Sequence, residues 1–200
     1  MAGLEEPRDG NEQYRGSCPD RSISLIMISH KRITTGLPEY PDIRRLMQTA
    51  FPQNEQIPFF LLQLLALRGN TSFRAFYDEQ QFCGILYTYE NDQYVFVLYL
   101  AVNDRIRSKG YGTQILQWLK RNTSKVIVLN VESVNPAAEN NRQREKRTEF
   151  YRRNGITDTE YRFTDDGEQY SVLSSDSAKF KIEEYRALLK KFSFGSYSRI

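Results

Sequence analysis

The chain has 200 residues, 40% hydrophobic and 26% charged, enough apolar material for one sizeable core without a second domain. Its 28 basic and 25 acidic residues leave a net charge of +3, too slight to point to nucleic acid by itself but suited to an anionic cofactor. With only two cysteines, Cys18 and Cys83, neither a disulfide framework nor a zinc ligand set is available; no apolar stretch approaches membrane-span length and no secretory signal opens the chain, so a cytoplasmic protein without a membrane partner is expected.

Residues 1–22 offer nothing to bury and read as a disordered extension. From Ile23 the pattern is strand-like through about Thr34. Pro38 to Gln48 reads as a helix with Ile43, Leu46 and Met47 on one face, and Phe59 to Leu67 as a second helix, both predicted to cover one face of a sheet. Ser72 to Tyr77, Phe82 to Tyr89 and Tyr94 to Val102 read as strands separated by short polar connections, an antiparallel meander. After them come a helix from Tyr111 to Arg121, a strand from Val126 to Val131, a polar helix ending near Arg153, and a hairpin turning at Asp165-Asp166-Gly167. The tail, Ala178 to Phe192, carries one apolar stripe (Phe180, Ile182, Tyr185, Leu188, Leu189, Phe192) that needs a partner surface. Packing on its own domain is the simplest reading; a homodimer contact or a flap over a substrate site is the other.

The connection between Val102 and Tyr111 carries the chemistry. A strand apolar on both faces runs into Arg105, Arg107, Ser108 and Lys109, then Gly110-Tyr111-Gly112-Thr113 and an amphipathic helix. Unpaired N–H groups and the macrodipole at a helix start attract an anion, glycine lets it approach, and the flanking cations add full charge, so the turn suits a phosphate. The β-α-β order around it is the context such a motif requires.

Leu100-Ala101-Val102 followed by Arg107-Ser108-Lys109-Gly110-Tyr111-Gly112 resembles the acetyl-CoA signature of the GNAT superfamily of acyl-CoA-dependent N-acetyltransferases, [QR]-x-x-G-x-[GA]. Glu149 to Ile156 is similar to the later segment of that family in which a Phe-Tyr or Leu-Tyr pair ends a helix and a Gly-Phe pair opens the next strand, with Ile156 in place of Phe. The resemblance spans roughly Ile23 to Ser174. It implies an α/β, GNAT-like fold: a central mixed, mostly antiparallel sheet flanked by helices, here extended by a C-terminal helix. The implied domain covers 23–175, followed by a helix and tail over 176–200. The implied cofactor, as acyl donor, is acetyl-CoA, held by Leu100, Ala101, Val102, Arg107, Ser108, Lys109, Gly110, Tyr111, Gly112 and Thr113.

The resemblance also implies the reaction, acetyl transfer to a primary amine of a small molecule or a protein by direct attack in a ternary complex. Tyr151 matches the family tyrosine that faces the cofactor sulfur and protonates the leaving thiolate; a buried aromatic anchor is its alternative role. Glu132 closes the strand that splays from its neighbour at the acyl site in the family, as base or amine anchor, or as a merely solvated carboxylate. His30 is the only histidine and Cys83 lies in a strand, so both read as structural, and no metal site is expected. The basic residues Arg142, Arg144, Lys146, Arg147, Arg152 and Arg153 read as a solvated helix face, with an acidic substrate or RNA contact as the alternative; without aromatic interleaving a nucleic-acid partner is not expected. Two rival functions stay open, a catalytically silent acyl-CoA-binding regulator and a GNAT-like enzyme acting on charged tRNA.

Overall fold

The computed structural model describes residues 28–106 and 109–192. The extension expected over 1–22, the beginning of the first strand, Cys18, Arg107, Ser108 and the tail beyond Phe192 lie outside the described residues.

Seven strands form one sheet in the order β1-β2-β3-β4-β5-β7-β6. They are β1 (Ser29–Arg32), β2 (Thr71–Asp78), β3 (Gln81–Glu90), β4 (Tyr94–Val102), β5 (Val126–Glu132), β6 (Thr157–Asp165) and β7 (Glu168–Ser174). Every neighbouring pair is antiparallel except β4 and β5, and a parallel pair needs a crossover. Helix α3 (Tyr111–Arg121) supplies it. The central strands β3 and β4 are buried along almost their whole length, which explains their unbroken apolar sequence: helices cover both faces.

On one face lie α1 (Tyr40–Ala50), α2 (Phe59–Leu65) and α5 (Ile182–Phe192), which bury Ile43, Leu46, Leu62, Leu65, Tyr185 and Leu188 against Tyr87, Phe96 and Val128. On the other, α3 and α4 (Asn141–Arg153) bury Ile115, Leu116 and Tyr151 against Val97, Ile127 and Leu129. Helix α1 begins two residues later than Pro38, with Pro41 tolerated in its first turn, where a missing N–H costs nothing. The C-terminal stripe faces inward. Ile182, Tyr185, Leu188, Leu189 and Phe192 are buried in the first core, and the Tyr185 hydroxyl donates to Asn130 Oδ1 at 2.5 Å. Packing on its own domain, not a flap, is therefore what the described part of that helix does.

The second motif has a plain local meaning. Helix α4 ends in a Schellman arrangement, with Ile156 N–H donating to the Tyr151 carbonyl at 3.0 Å and Gly155 N–H to the Arg152 carbonyl at 2.9 Å. Lys120 of α3 also donates to the Asn154 carbonyl, placing a cation at the negative end of the helix. The final hairpin turns on Asp166 (φ 48°) and Gly167 (φ 78°), two consecutive left-handed residues whose twist matches the strands they join.

Since Leu188 is fully buried, Leu188→Ala should lower the unfolding free energy by about 3 kcal/mol, read from urea denaturation. A change below about 1 kcal/mol would mean that α5 is a detachable tail.

Candidate active site

Strands β4 and β5 pair only from Tyr94↔Val126 to Val97↔Leu129. Beyond that point β5 continues to Glu132 beside β7, while β4 continues to Val102 beside β3, so the two parallel strands part company in the middle of the sheet. A bulge marks the place. The β3–β4 register shifts between Tyr87 and Thr88, whose partners are Tyr99 and Val97, leaving Leu98 as the extra residue. The shift puts Phe96 and Tyr99 on the same face although they are three residues apart.

The edge of β4 from Leu98 to Val102 thus has β3 on one side and, among the described residues, no paired strand on the other, and it leads straight to the basic turn. Gly110 stands immediately before α3 with φ at 77°, a left-handed conformation that glycine adopts without strain, and a Cβ there would meet nothing within 4 Å. Among the described residues, nothing would contact a side chain at this helix start. Gly112 differs: a Cβ there would lie 3.1 Å from the Phe150 ring and 3.5 Å from Val102, so this glycine serves the packing of α3 against α4 and β4 rather than the approach of an anion. Tyr111 also turns inward, its hydroxyl donating to Asp78 Oδ2 at 2.7 Å, which with burial raises its pKa. Only its backbone belongs to the turn's open side. Lys109 is exposed, and Thr113, Leu100 and Val102 are half-buried, while Ala101 is buried on the opposite face.

On the face of the sheet carrying α1, α2 and α5, the parting of β4 and β5 opens into a cavity of about 210 Å³. Phe96, Tyr99, Phe163 and Tyr170 give it an aromatic wall to which Leu98 adds an aliphatic side chain, Asn130 faces it from β5, and Glu55, Asp165 and Asp166 are its charged residues. Glu55 belongs to a 3-10 turn (Gln53–Glu55) between α1 and α2, and two tyrosines hold that turn over the sheet. The Tyr99 hydroxyl donates to the Glu55 carbonyl at 2.6 Å and accepts from Ile57 N–H at 3.0 Å; the Tyr170 hydroxyl donates to Glu55 Oε1 at 2.6 Å. Burial pushes the Glu55 carboxyl above its ordinary range, against the pull of the Tyr170 hydrogen bond. Among the described residues no Lys or Arg lines this cavity.

Glu132 closes β5 where the sequence places it, and alternation puts it on the cavity face opposite Tyr170. Its carboxylate is nevertheless not an open base. Oε2 accepts from Arg147 at 2.9 Å, while Oε1 accepts from Asn140 at 3.2 Å and lies 3.4 Å from Arg144. Arg144 in turn makes a two-pronged bond to Glu168 at 2.6 and 3.0 Å. This network ties α4 to β5 and β7. It also corrects the reading of the basic helix at Arg144, which is buried, and at Arg147, which is half-buried against Glu132, while Arg142, Lys146, Arg152 and Arg153 are exposed as a solvated face requires.

Tyr151 sits on the other face, packed against Phe150 at 5.1 Å and buried in the cluster that contains Val97 and Leu129, the last paired residues of β4 and β5. Burial raises its phenol to about 12, so it keeps its proton throughout the neutral range. His30 is a surface residue of β1 whose Nδ1 accepts from Arg74 at 3.0 Å and whose ring meets Trp118 edge-on. Among the described residues no cluster of His, Cys, Asp and Glu suits a metal ion, and no helix is long and apolar enough to cross a membrane.

The sequence model of the acetyltransferase (GNAT) family matches residues 40–156, which include both sides of the opening, the basic turn and Tyr151. The chain belongs to the GNAT acetyltransferase family. A GNAT-family acetyltransferase of Bacteroides thetaiotaomicron is similar in structure, with a TM-score of 0.70 and 26% identity over 84% of this chain and 98% of that one. A GNAT acetyltransferase of Elizabethkingia anophelis with acetyl-CoA bound shares the fold at a TM-score of 0.50 and 14% identity, covering 74% and 96% of the two chains. The aminoglycoside 6'-N-acetyltransferase of Enterococcus faecium does so at 0.55 and 12%, covering 78% and 99%. No curated protein is similar enough in sequence to match.

In this GNAT protein, then, the sequence locates the turn, Tyr151 and Glu132 but overlooks Glu55, Tyr170, Tyr99 and the two hairpin aspartates. The one available signal is that Glu55 is the only acidic residue between Pro52 and Pro58, in the linker joining two helices on one sheet face. If Glu132 is an anchor for the arginines, Glu132→Gln should lower the melting temperature, and Arg144→Leu, which takes the partner from Glu168 and leaves Glu132 with Arg147 and Asn140, should cost about 3 kcal/mol. Unchanged stability in both, by thermal denaturation, would detach Glu132 from any structural role.

Proposed function

We propose that this GNAT protein transfers the acetyl group of acetyl-CoA to a primary amine, on a small molecule or a protein, by direct attack in a ternary complex. The observation that carries the reading is the parting of β4 and β5, with a basic helix-start turn along one rim and an acidic, aromatic cavity on the cavity-bearing face. Gly110, Lys109 and the first turn of α3 suit the pyrophosphate, and the open edge of β4 from Leu98 to Val102 offers peptide groups to the extended arm of the cofactor. The Bacteroides relative and the acetyl-CoA-bound neighbour share this framework.

The amine arrives as an ammonium ion. Deprotonating a lysine-like amine at pH 7 costs roughly 4.6 kcal/mol at 1.36 kcal/mol per pKa unit, so a nearby base lowers the barrier. Glu55 suits that task better than Glu132. Its carboxylate has a raised pKa, faces the cavity and is bonded only to a neutral phenol, whereas both oxygens of Glu132 are occupied by cationic or amide donors. In the transfer, Glu55 takes one ammonium proton directly or through water and passes it to solvent. The nitrogen–carbon bond then forms as the carbon–sulfur bond breaks, the acylated nitrogen gives its second proton to the same carboxylate, and Tyr151 gives its proton to the departing sulfur, so that the net reaction releases one proton to solvent. A phenol near 12 is protonated at the start of each cycle and is returned to that state by solvent. Arg144 and Arg147 are engaged with Glu132 and Glu168, which weakens the support that the basic helix lends to the charged-tRNA alternative.

The sign of the Glu55 shift adds a second readout. A carboxyl whose pKa is higher in the folded protein than the ordinary 4.5 contributes most to stability below that value, and the contribution is lost as pH rises through the raised one. At neutral pH the ionised form therefore costs stability. Glu55→Gln should keep or raise the melting temperature at pH 7 while lowering kcat/KM for amines by about 100-fold, with acetyl-CoA affinity little changed. Tyr151→Phe should lower kcat by a similar factor. Thiol release by either variant at the rate of the parent protein would overturn its assigned role.

A further inference from the structure

The cavity holds more negative charge than one ammonium ion needs. Glu55 lies at the sheet opening, held by Tyr170, while Asp165 and Asp166 lie at the β6–β7 turn, and none of the three carboxylates has an ion-pair partner among the described residues. The geometry separates them. Tyr170 pairs with Phe163, their rings stacked at 5.3 Å, and Asp165 follows Phe163 by two residues on the same side of β6. At about 3.4 Å per residue, Asp165 is displaced from the Phe163–Tyr170 pair by roughly 7 Å along the strand. Between the two acidic ends run the apolar and aromatic surfaces of Phe96, Leu98 and Phe163.

Resting on the amine-acetylation reading above, we propose that the acceptor is a linear aliphatic diamine, whose reacting nitrogen lies at Glu55 and whose second ammonium is held by Asp165 and Asp166 at the hairpin turn. The methylene chain fits the apolar stretch between the two acidic ends, and the ring faces beside it favour a cation. A single ammonium satisfies only one end. An acceptor with a carboxylate in place of the second amine brings a like charge to the aspartates and is rejected. One-ended acetylation follows: the acetylated nitrogen is neutral, so the monoacetylated product, turned end for end, has no cation to offer the aspartates.

The test uses the full chain saturated with coenzyme A and titrates in 1,4-diaminobutane, 1,5-diaminopentane, n-butylamine and 4-aminobutyrate by calorimetry. A parallel assay measures thiol release from acetyl-CoA, with mass spectrometry of the products. The diamines should bind at least about ten-fold more tightly than n-butylamine, 4-aminobutyrate should be the weakest, and the product should carry one acetyl group. In Asp165→Asn/Asp166→Asn the ratio of diamine to n-butylamine affinity should fall to near one; both residues lie in a turn where Asn tolerates the left-handed φ of position 166, so the fold is kept. Equal affinity for diamine and n-butylamine in the parent protein, or a ratio unmoved by the double substitution, overturns the proposal, and acetylation of n-butylamine in that case leaves the amine-acetyltransferase reading standing. Preferential diamine binding without thiol release from any amine upholds the two-ended site and overturns the enzyme reading instead.

Discussion

The hydrogen-bond ladder between β4 and β5 stops at Val97 and Leu129, and nearly everything else in the molecule answers that interruption. Peptide groups inside a sheet must find partners, and the cost of leaving them unpaired is of the order of a lost hydrogen bond for each group. β5 turns to β7 from Val128 to Glu132, and β4 keeps β3 along its other edge. What is left is a strand edge in the middle of a covered sheet, where a ligand is the natural substitute for the missing strand. The bulge at Leu98 makes the parting steep, since an added residue increases local twist.

The separation also sorts charge. The basic turn before α3 lies at the end of β4, while the cavity on the α1–α2–α5 face is lined by carboxylates and aromatic rings with no cation among the described residues. Behind the cavity, Glu132, Arg144, Arg147 and Glu168 form a network whose centre, Glu132 and Arg144, is buried, and buried ion pairs are costly to assemble even when well matched. Their benefit is geometric. They fix the start of α4 beside β5 and β7 and so hold Tyr170 and, through it, Glu55. The tyrosines serve as struts of this arrangement: Tyr99 and Tyr170 each reach from the sheet to one short turn, and Tyr185 reaches from α5 to Asn130.

Local features were legible in the sequence because they are local. The buried central strands, the helix beginning at Tyr111, the aromatic pair ending α4 and the hairpin at Asp165–Gly167 each show in a window of a few residues. Even the C-terminal helix shows in its stripe, although the stripe alone does not say which surface it covers. The site is different. Glu55 and Tyr170 are 115 residues apart in the chain, and their meeting depends on the docking of the α1–α2 linker over the opening between β4 and β5. Glu132 was identifiable as the end of a strand, but whether its oxygens are free depends on arginines 12 and 15 residues on, whose side chains return only once α4 has packed. Gly112 illustrates the same limit: a glycine in a phosphate-type pattern turned out to be shaped by Phe150, which arrives from another helix.

A structure of the protein with coenzyme A bound tests the central claim most directly. We expect the pyrophosphate before Gly110 and the first turn of α3, the extended arm along the free edge of β4 from Leu98 to Val102, and the sulfur in the opening beyond Val97 and Leu129, between the Tyr151 hydroxyl and the cavity of Glu55. Coenzyme A bound elsewhere, or with its sulfur directed away from that opening, would contradict the account.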